Sequence, residues 1–479
     1  MRPRYRLPPL TRRSRAVALL AVALFLVATA AVASATTAAL PVSVRDVQQI
    51  AADHLPAPGN CGTGTAEVEP AVAVDQANPG RIVAVFQEGR CTLTGGAAGI
   101  GYASSHDGGR TWTHGDLPRL TKVTGGPFDR GDDPSVAFGL DGSVYAAGMG
   151  FDVGTGCRSA VTVERSSNGG RTFAPPTLVE DDSCQRFNDK PWVTVDTSPR
   201  SRFRGRVYVA WTQVDVSTPT PLARLLLRSS DDGGITWSAP VELARAGLSQ
   251  GAPEGAVPLV QPDGRLTVLF RLRYPTGPIA ARTSYDGGAT FGPLVLVGRD
   301  RGVDPPHLRT GLVPAGAVDP VTGALYAVWQ DLPPGNTTNV IVLSRSLDGG
   351  ATWSPPRRIS GGPRDGDHRF TPAVAADSGQ VEVVYFRLSP ASTPLRAWPV
   401  VVASSDGGVR FAAETVIGPA AVLRFALRSG GAWFLGDYLG LAATAGVAHA
   451  VWCRSWHPPN AVTPNSAAWT ATITPPHPR

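Results

Sequence analysis

Ser105-His-Asp107-Gly-Gly109-Arg-Thr111-Trp112 is one of six copies of a single eight-residue string. It returns at residues 166–173, 230–237, 284–291, 346–353 and 404–411, with Asn168 in place of Asp once and Arg410 in place of Thr once. The leading serines stand 61, 64, 54, 62 and 58 residues apart, a regularity that chance does not produce. Short β-like runs flank each copy, such as Leu225-Leu226-Leu227 before and Val241-Glu242-Leu243 after, so the string reads as a hairpin turn. Its Asp can accept hydrogen bonds from the turn's own N–H groups, and its glycines supply positive φ. The aspartates are therefore assigned to structure. A calcium loop of the helix-flanked type would need further acids and a distal Glu, so no metal is expected.

A second repeat covers more of the chain. Runs starting at Ile82, Val144, Val207, Leu266, Leu325, Val381 and Ala448 each follow a polar turn and read as buried strands. They are spaced 62, 63, 59, 59, 56 and 67 residues apart. Each repeat supplies about four strands, the size of a propeller blade. The chain is expected to be all-β: a single β-propeller, seven blades favoured, six left open if one hairpin is an insertion. The last repeat has no turn string, but has a third strand near 467–473. Residues 41–47 would supply its missing outer strand and close the ring, which otherwise leaves an open edge. The expected division is a signal peptide at 1–35, an N-terminal segment at 36–60, the propeller at 61–475 and a tail at 476–479.

Gly and Pro make up about a fifth of the 479 residues, which suits many turns and few helices. The net charge of +6 suggests polyanion binding only until its source is located. Setting aside the six arginines of residues 1–35 leaves 38 basic and 38 acidic residues, so a nucleic-acid partner is not expected. Those arginines precede an apolar run ending in Ala33-Ser34-Ala35, a cleavage pattern for export. The protein is thus expected to be secreted, with no membrane association after cleavage, and monomeric. Export permits disulfides, and Cys61–Cys91 and Cys157–Cys184 would each close a loop of about 30 residues, worth about 3 kcal/mol. Cys453 would remain free and buried in a strand.

The string Ser-x-Asp-x-Gly-x-Thr-Trp resembles the Asp-box, or bacterial neuraminidase repeat, and the chain over roughly 60–475 looks like an Asp-box propeller of the sialidase-like superfamily. The resemblance implies a glycan partner, with an arginine before a proline in the first blade, an acid/base Asp in the same blade, a nucleophilic Tyr in the last blade and a clamp of arginines. The matching place for the first arginine is Glu67-Val68-Glu69-Pro70, which has none. Glu88-Gly89-Arg90 is followed by Cys91-Thr-Leu-Thr-Gly-Gly, which has no acid. Asp437-Tyr438 matches the start of the last blade, and Arg309, Arg369 and Arg424 are candidates for the clamp.

The starts of the first strands would converge on one mouth of the central channel, and they are polar: Glu67 and Glu69; Asp132 and Asp133; Asn188, Asp189 and Lys190; Glu254; His307 and Arg309; Asp367, His368 and Arg369; Asp437 and Tyr438. Such residues suit a sugar, a carboxylated ligand or a cation, although acids there also cap turns and pair with neighbouring arginines. The expected function is engagement of an extracellular glycan or glycoprotein at this face. The missing first-blade arginine and acid favour non-catalytic binding. The alternative is a glycoside hydrolase of exo-α-sialidase type. It would use Tyr438 as nucleophile, Glu254 or Asp437 as its partner and Asp133 or Asp189 as acid. Glu69, Lys190, Arg309, Asp367 and Arg369 would bind the ligand. No cofactor is expected.

Overall fold

The structure is a computed structural model. It describes residues 42–475 apart from 57, 59–60, 62–64, 93–94, 155–156, 362–365 and 458–464. The proposed signal peptide and the tail at 476–479 lie outside the described residues. Among the described residues there are strands and three 3-10 turns, and no α-helix. Among these residues no helix is long and apolar enough to cross a membrane.

The strands pair antiparallel in groups of four. The first group is Val68–Val74, Ile82–Arg90, Ala97–Ser105 and Thr113–Asp116. The second is Arg130–Phe138, Val144–Phe151, Ser159–Ser166 and Thr177–Asp182; a single Ala97–Gly131 pairing fuses these two into one sheet. Four further groups start at Arg186–Val195, Glu254–Val260, Ala315–Val318 and His368–Asp377. The remaining sheet has Gly440–Thr444, Val447–Trp456 and Asn465–Thr474, and its outer strand is Ser43–Gln49 from the other end of the chain, with Val44 opposite Ile473. A small extra sheet places Leu308–Arg309 parallel to Ala432–Phe434.

The first strands lie side by side in chain order, and the last, Gly440–Thr444, packs on the first, Val68–Val74. Their faces enclose two cavities of about 170 and 300 Å³. Val72, Val136, Val257, Val374 and Leu441 line both. Each second strand is sealed between neighbours. Six of the seven carry a fully buried aromatic residue there: Phe86, Trp211, Phe270, Trp329, Tyr385 and Trp452. Truncating such a side chain would cost about 3–5 kcal/mol.

The repeated string forms the turn between third and fourth strands. In the first copy Ser105 Oγ donates to Asp107 Oδ1 (2.9 Å), and the Thr111 N–H and hydroxyl donate to the two Asp107 oxygens (3.0 and 2.6 Å). The Gly109 N–H donates to Ser105 Oγ (2.9 Å). These bonds hold Asp107 ionised, with its pKa lowered to about 2. The structural assignment of these aspartates thus has a bonding basis. Disulfides join Cys61 to Cys91 and Cys157 to Cys184, and Cys453 is free and buried.

Candidate functional site

Five of the first strands break register with the second strand at the same point: between Val68 and Ala71, Asp132 and Ser135, Asp189 and Trp192, Glu254 and Val257, and Phe370 and Ala373. Such a bulge bends the strand and re-aims a side chain. The bulged residue has positive φ in all five: Glu69 (54°), Asp133 (48°), Lys190 (49°), Gly255 (70°) and Thr371 (52°). Four are not glycine, and each of those four directly precedes a proline. A left-handed conformation costs such residues roughly 1–2 kcal/mol, and persists only where the surrounding structure imposes it.

The bulges bring charged groups together. Glu69, Arg90, Asp132, Asp133, Asp189, Lys190, Glu254, Tyr274, Arg309 and Asp437 line one cavity of about 270 Å³. Lys190 Nζ lies 2.8 Å from Asp437 Oδ2 and 3.5 Å from Asp133 Oδ1. Arg309 Nη2 also donates to Asp437 Oδ2 (2.8 Å), and its Nη1 to Ser429 Oγ (2.6 Å). Arg90 Nη1 donates to Asp132 Oδ1 (2.6 Å) and stands 3.9 Å from Glu69. Gln87 bridges Glu69 and Asp132.

Charge divides these carboxyl groups into two kinds. Burial would raise the pKa of Asp437, but Lys190 and Arg309 outweigh it and hold this group below the ordinary carboxylate range. Burial raises Glu254 to about 7, with Asp437 and Asp133 adding to the shift. Burial raises Asp189 well above its usual value, and Asp133 and Glu254 add to the shift. Glu69 is raised well above its usual value and Asp132 to about 6, in both cases chiefly by burial. Burial would lower Lys190, but the surrounding carboxylates raise it. Tyr274 is pushed up to about 12 by burial and by Asp437 and Glu254.

Glu254 stands apart. It is 6% exposed, and among the described residues its side chain makes no hydrogen bond or ion pair. Its register neighbour, Arg271, is already paired with Asp300 in the core. An unpartnered carboxyl group facing a cavity, beside an ionised one, can give up a proton while its neighbour carries negative charge.

Of the residues expected at the site, Glu69, Asp133, Asp189, Lys190, Glu254, Arg309 and Asp437 share the cavity. Four do not line it. Tyr438 is buried against Trp192, and its hydroxyl donates to Pro134 O (3.0 Å). Burial, then Glu69 and Asp133, raises it well above its usual pKa, so the phenol keeps its proton. Arg369 binds Glu414 (2.9 Å), and Asp367 faces Arg387 at 3.7 Å. Arg424 lies in a separate groove with Phe425 and Trp456. Conversely, Arg90, Asp132 and Tyr274 line the cavity without having been assigned a role. Arg90 and Tyr274 come from the end of a second strand and the loop beyond one, where the repeat carries no signal.

Among the described residues, two groups of donor atoms lie close enough to hold a cation: Glu69, Asp132 and Asp133 in the cavity, and His54, Glu88 and Asp116 outside it. Arg90 and Gln87 already fill the first. In the second, His54 itself bridges Glu88 (2.5 Å) and Asp116 (3.0 Å).

No protein-family model and no curated protein matches the chain. Among solved structures it is similar to Hadza microbial sialidase Hz136, at 19% identity and a TM-score of 0.49. That match covers 67% of this chain and 63% of the other, so the chain spans less than two thirds of Hz136. It is similar to the leech intramolecular trans-sialidase complexed with 2,7-anhydro-Neu5Ac, at 15% identity and a TM-score of 0.45, over 70% and 67% of the two chains. It is also similar to the Penicillium chrysogenum α-L-arabinanase complexed with arabinobiose, at 14% identity and a TM-score of 0.47, over 72% and 94%.

Proposed function

We propose that the chain is an exported Asp-box propeller whose seven four-stranded groups are the blades of one closed ring, and that it takes a glycan into the charged cavity at the channel mouth and cleaves a glycosidic bond there. One observation carries the catalytic reading: the cavity combines a partnerless carboxyl group, Glu254, with an ionised one, Asp437. Glu254, with a pKa of about 7, is the general acid that protonates the departing sugar oxygen. Asp437, held ionised by Lys190 and Arg309, is its negative partner and stabilises the positive charge that develops on the sugar ring, to which a water then adds as its proton passes to the Glu254 carboxylate. Tyr438 has no catalytic role in this reading, because its hydroxyl is committed to Pro134. The two disulfides fit an oxidising compartment.

The second reading is a propeller that binds a glycan without cleaving it. It is favoured by the pairing of every cation in the cavity with a carboxylate.

A panel of fluorogenic glycosides, sialosides included, decides between them. Hydrolysis is expected with the wild type. It should fall about a hundredfold or more in Glu254→Gln and Asp437→Asn, and by less than about threefold in Tyr438→Phe. The wild-type rate should decline as the pH rises above about 7, where Glu254 loses its proton. Loss of activity in Tyr438→Phe alone would reinstate the tyrosine nucleophile, and no turnover of any glycoside would leave the binding reading.

A further inference from the structure

The same cavity also carries information about the kind of sugar it takes. Its three cations are all spent on its own carboxylates: Arg90 on Asp132, Lys190 on Asp437 and Asp133, and Arg309 on Asp437. A ligand carboxylate entering here would find no unpaired cation among the described residues and would meet six carboxyl groups. Two of the six are left over. Asp189 has a hydrogen bond only to another acid, Asp133, and Glu254 has no partner, although it is more than nine-tenths buried and lines the cavity. Leaving such a group unsatisfied costs free energy that a positive ligand group would recover.

We propose that the cavity receives a sugar bearing a protonated amine, with the ammonium seated between Glu254 and Asp189. This rests on the reading of the cavity as a glycan site that binds without cleaving, because an ammonium on Glu254 displaces the proton that a general acid would need. The ammonium supplies the positive charge that the cavity lacks and three N–H donors for carboxylate oxygens. A carboxylated sugar is excluded by the same charges, so the specificity is opposite to that of an arginine clamp. Because Glu254, with a pKa of about 7, is partly protonated before binding, seating the amine expels its proton into solution.

Calorimetric titration of the full chain near pH 7 tests this with three probes: the trisaccharide of glucosamine, its fully N-acetylated counterpart and 3′-sialyllactose. The amine form is expected to bind about tenfold or more tightly than the acetylated one, sialyllactose more weakly than either, and the heat to vary with the buffer because a proton is released. Glu254→Gln and, separately, Asp189→Asn should remove the preference for the amine while leaving thermal unfolding cooperative. Two variants at different strands guard against one of them failing to fold. Equal binding of the amine and acetylated forms would overturn the proposal and leave the glycan site standing. Tight binding of Ca²⁺ alone, with no response to the amine, would overturn it in favour of a metal. If none of the three sugars binds, the proposal falls, and turnover in the glycoside panel then tells whether the glycan reading falls with it.

Discussion

A buried carboxyl group without a partner weakens the fold whenever it ionises. Glu254 has a folded-state pKa near 7 against an ordinary value of 4.5, so the folded protein holds its proton where the unfolded chain has lost it. Stability from this group is therefore fully present below pH 4.5 and is lost as the pH rises through 7. Glu254→Gln keeps the shape and removes the charge. It is expected to be more stable than the wild type at pH 8 by up to about 3 kcal/mol, and nearly equal to it at pH 4. Urea unfolding at the two pH values checks this, and an unchanged difference between them would contradict the assignment. Asp437 has the opposite sign: its lowered pKa gives stability above its ordinary value of 3.8 that is lost in acid. Tyr438 adjoins Asp437 in the chain but is placed differently. The Tyr438 ring packs on Trp192 and its hydroxyl donates to Pro134 O, so of the two neighbours only Asp437 lines the charged cavity.

At the scale of the turn and the strand, the six repeated hairpins offer an internal comparison. Asn168 replaces Asp in the second copy, yet Ser166 Oγ and the Thr172 N–H still donate to its Oδ1 (2.9 and 3.0 Å). The acceptor oxygen, more than the charge, holds the turn. In the fourth copy Asp286→Ala is expected to cost about 1–2 kcal/mol and Asp286→Asn less than half of that, measured by chemical unfolding. Periodicity made these turns and the second strands legible, because each repeats a local pattern. The cavity was legible only in part, because facing depends on register. Asp132, Asp189, Glu254 and Phe370 each directly precede the bulged residue, so the sixth group presents Phe370 and Thr371 where the others present charge. Arg369 is one residue early, and a shift of one places its side chain on the other face, against Glu414.

For the whole molecule, the seam between the chain's two ends is the decisive contact. Ser43–Gln49 covers the edge of Asn465–Thr474, and Gln48 Nε2 reaches the first hairpin turn at Gly109 O (2.9 Å). Val42 is part of the core beneath the last strands. Deleting residues 42–49 is expected to lower the melting temperature and to promote association through the uncovered strand edge. It should also speed labelling of the Cys453 thiol, which is buried beside Ala66, Val68, Leu427 and Phe434. Light scattering and thiol-reagent kinetics on the truncated and full chains check this. Equal labelling rates would show that the strand is dispensable.

The bulges before proline separate backbone from chemistry. The left-handed turn is imposed by the packing of the first strands, and the same geometry accepts Glu69, Asp133, Lys190 and Thr371 in four different groups. The conformational cost is borne by the scaffold whichever side chain stands there. The mouth therefore behaves as a set of interchangeable sockets, in which charge can be rewritten one position at a time. A lineage built on this frame can change what it recognises without changing how it folds.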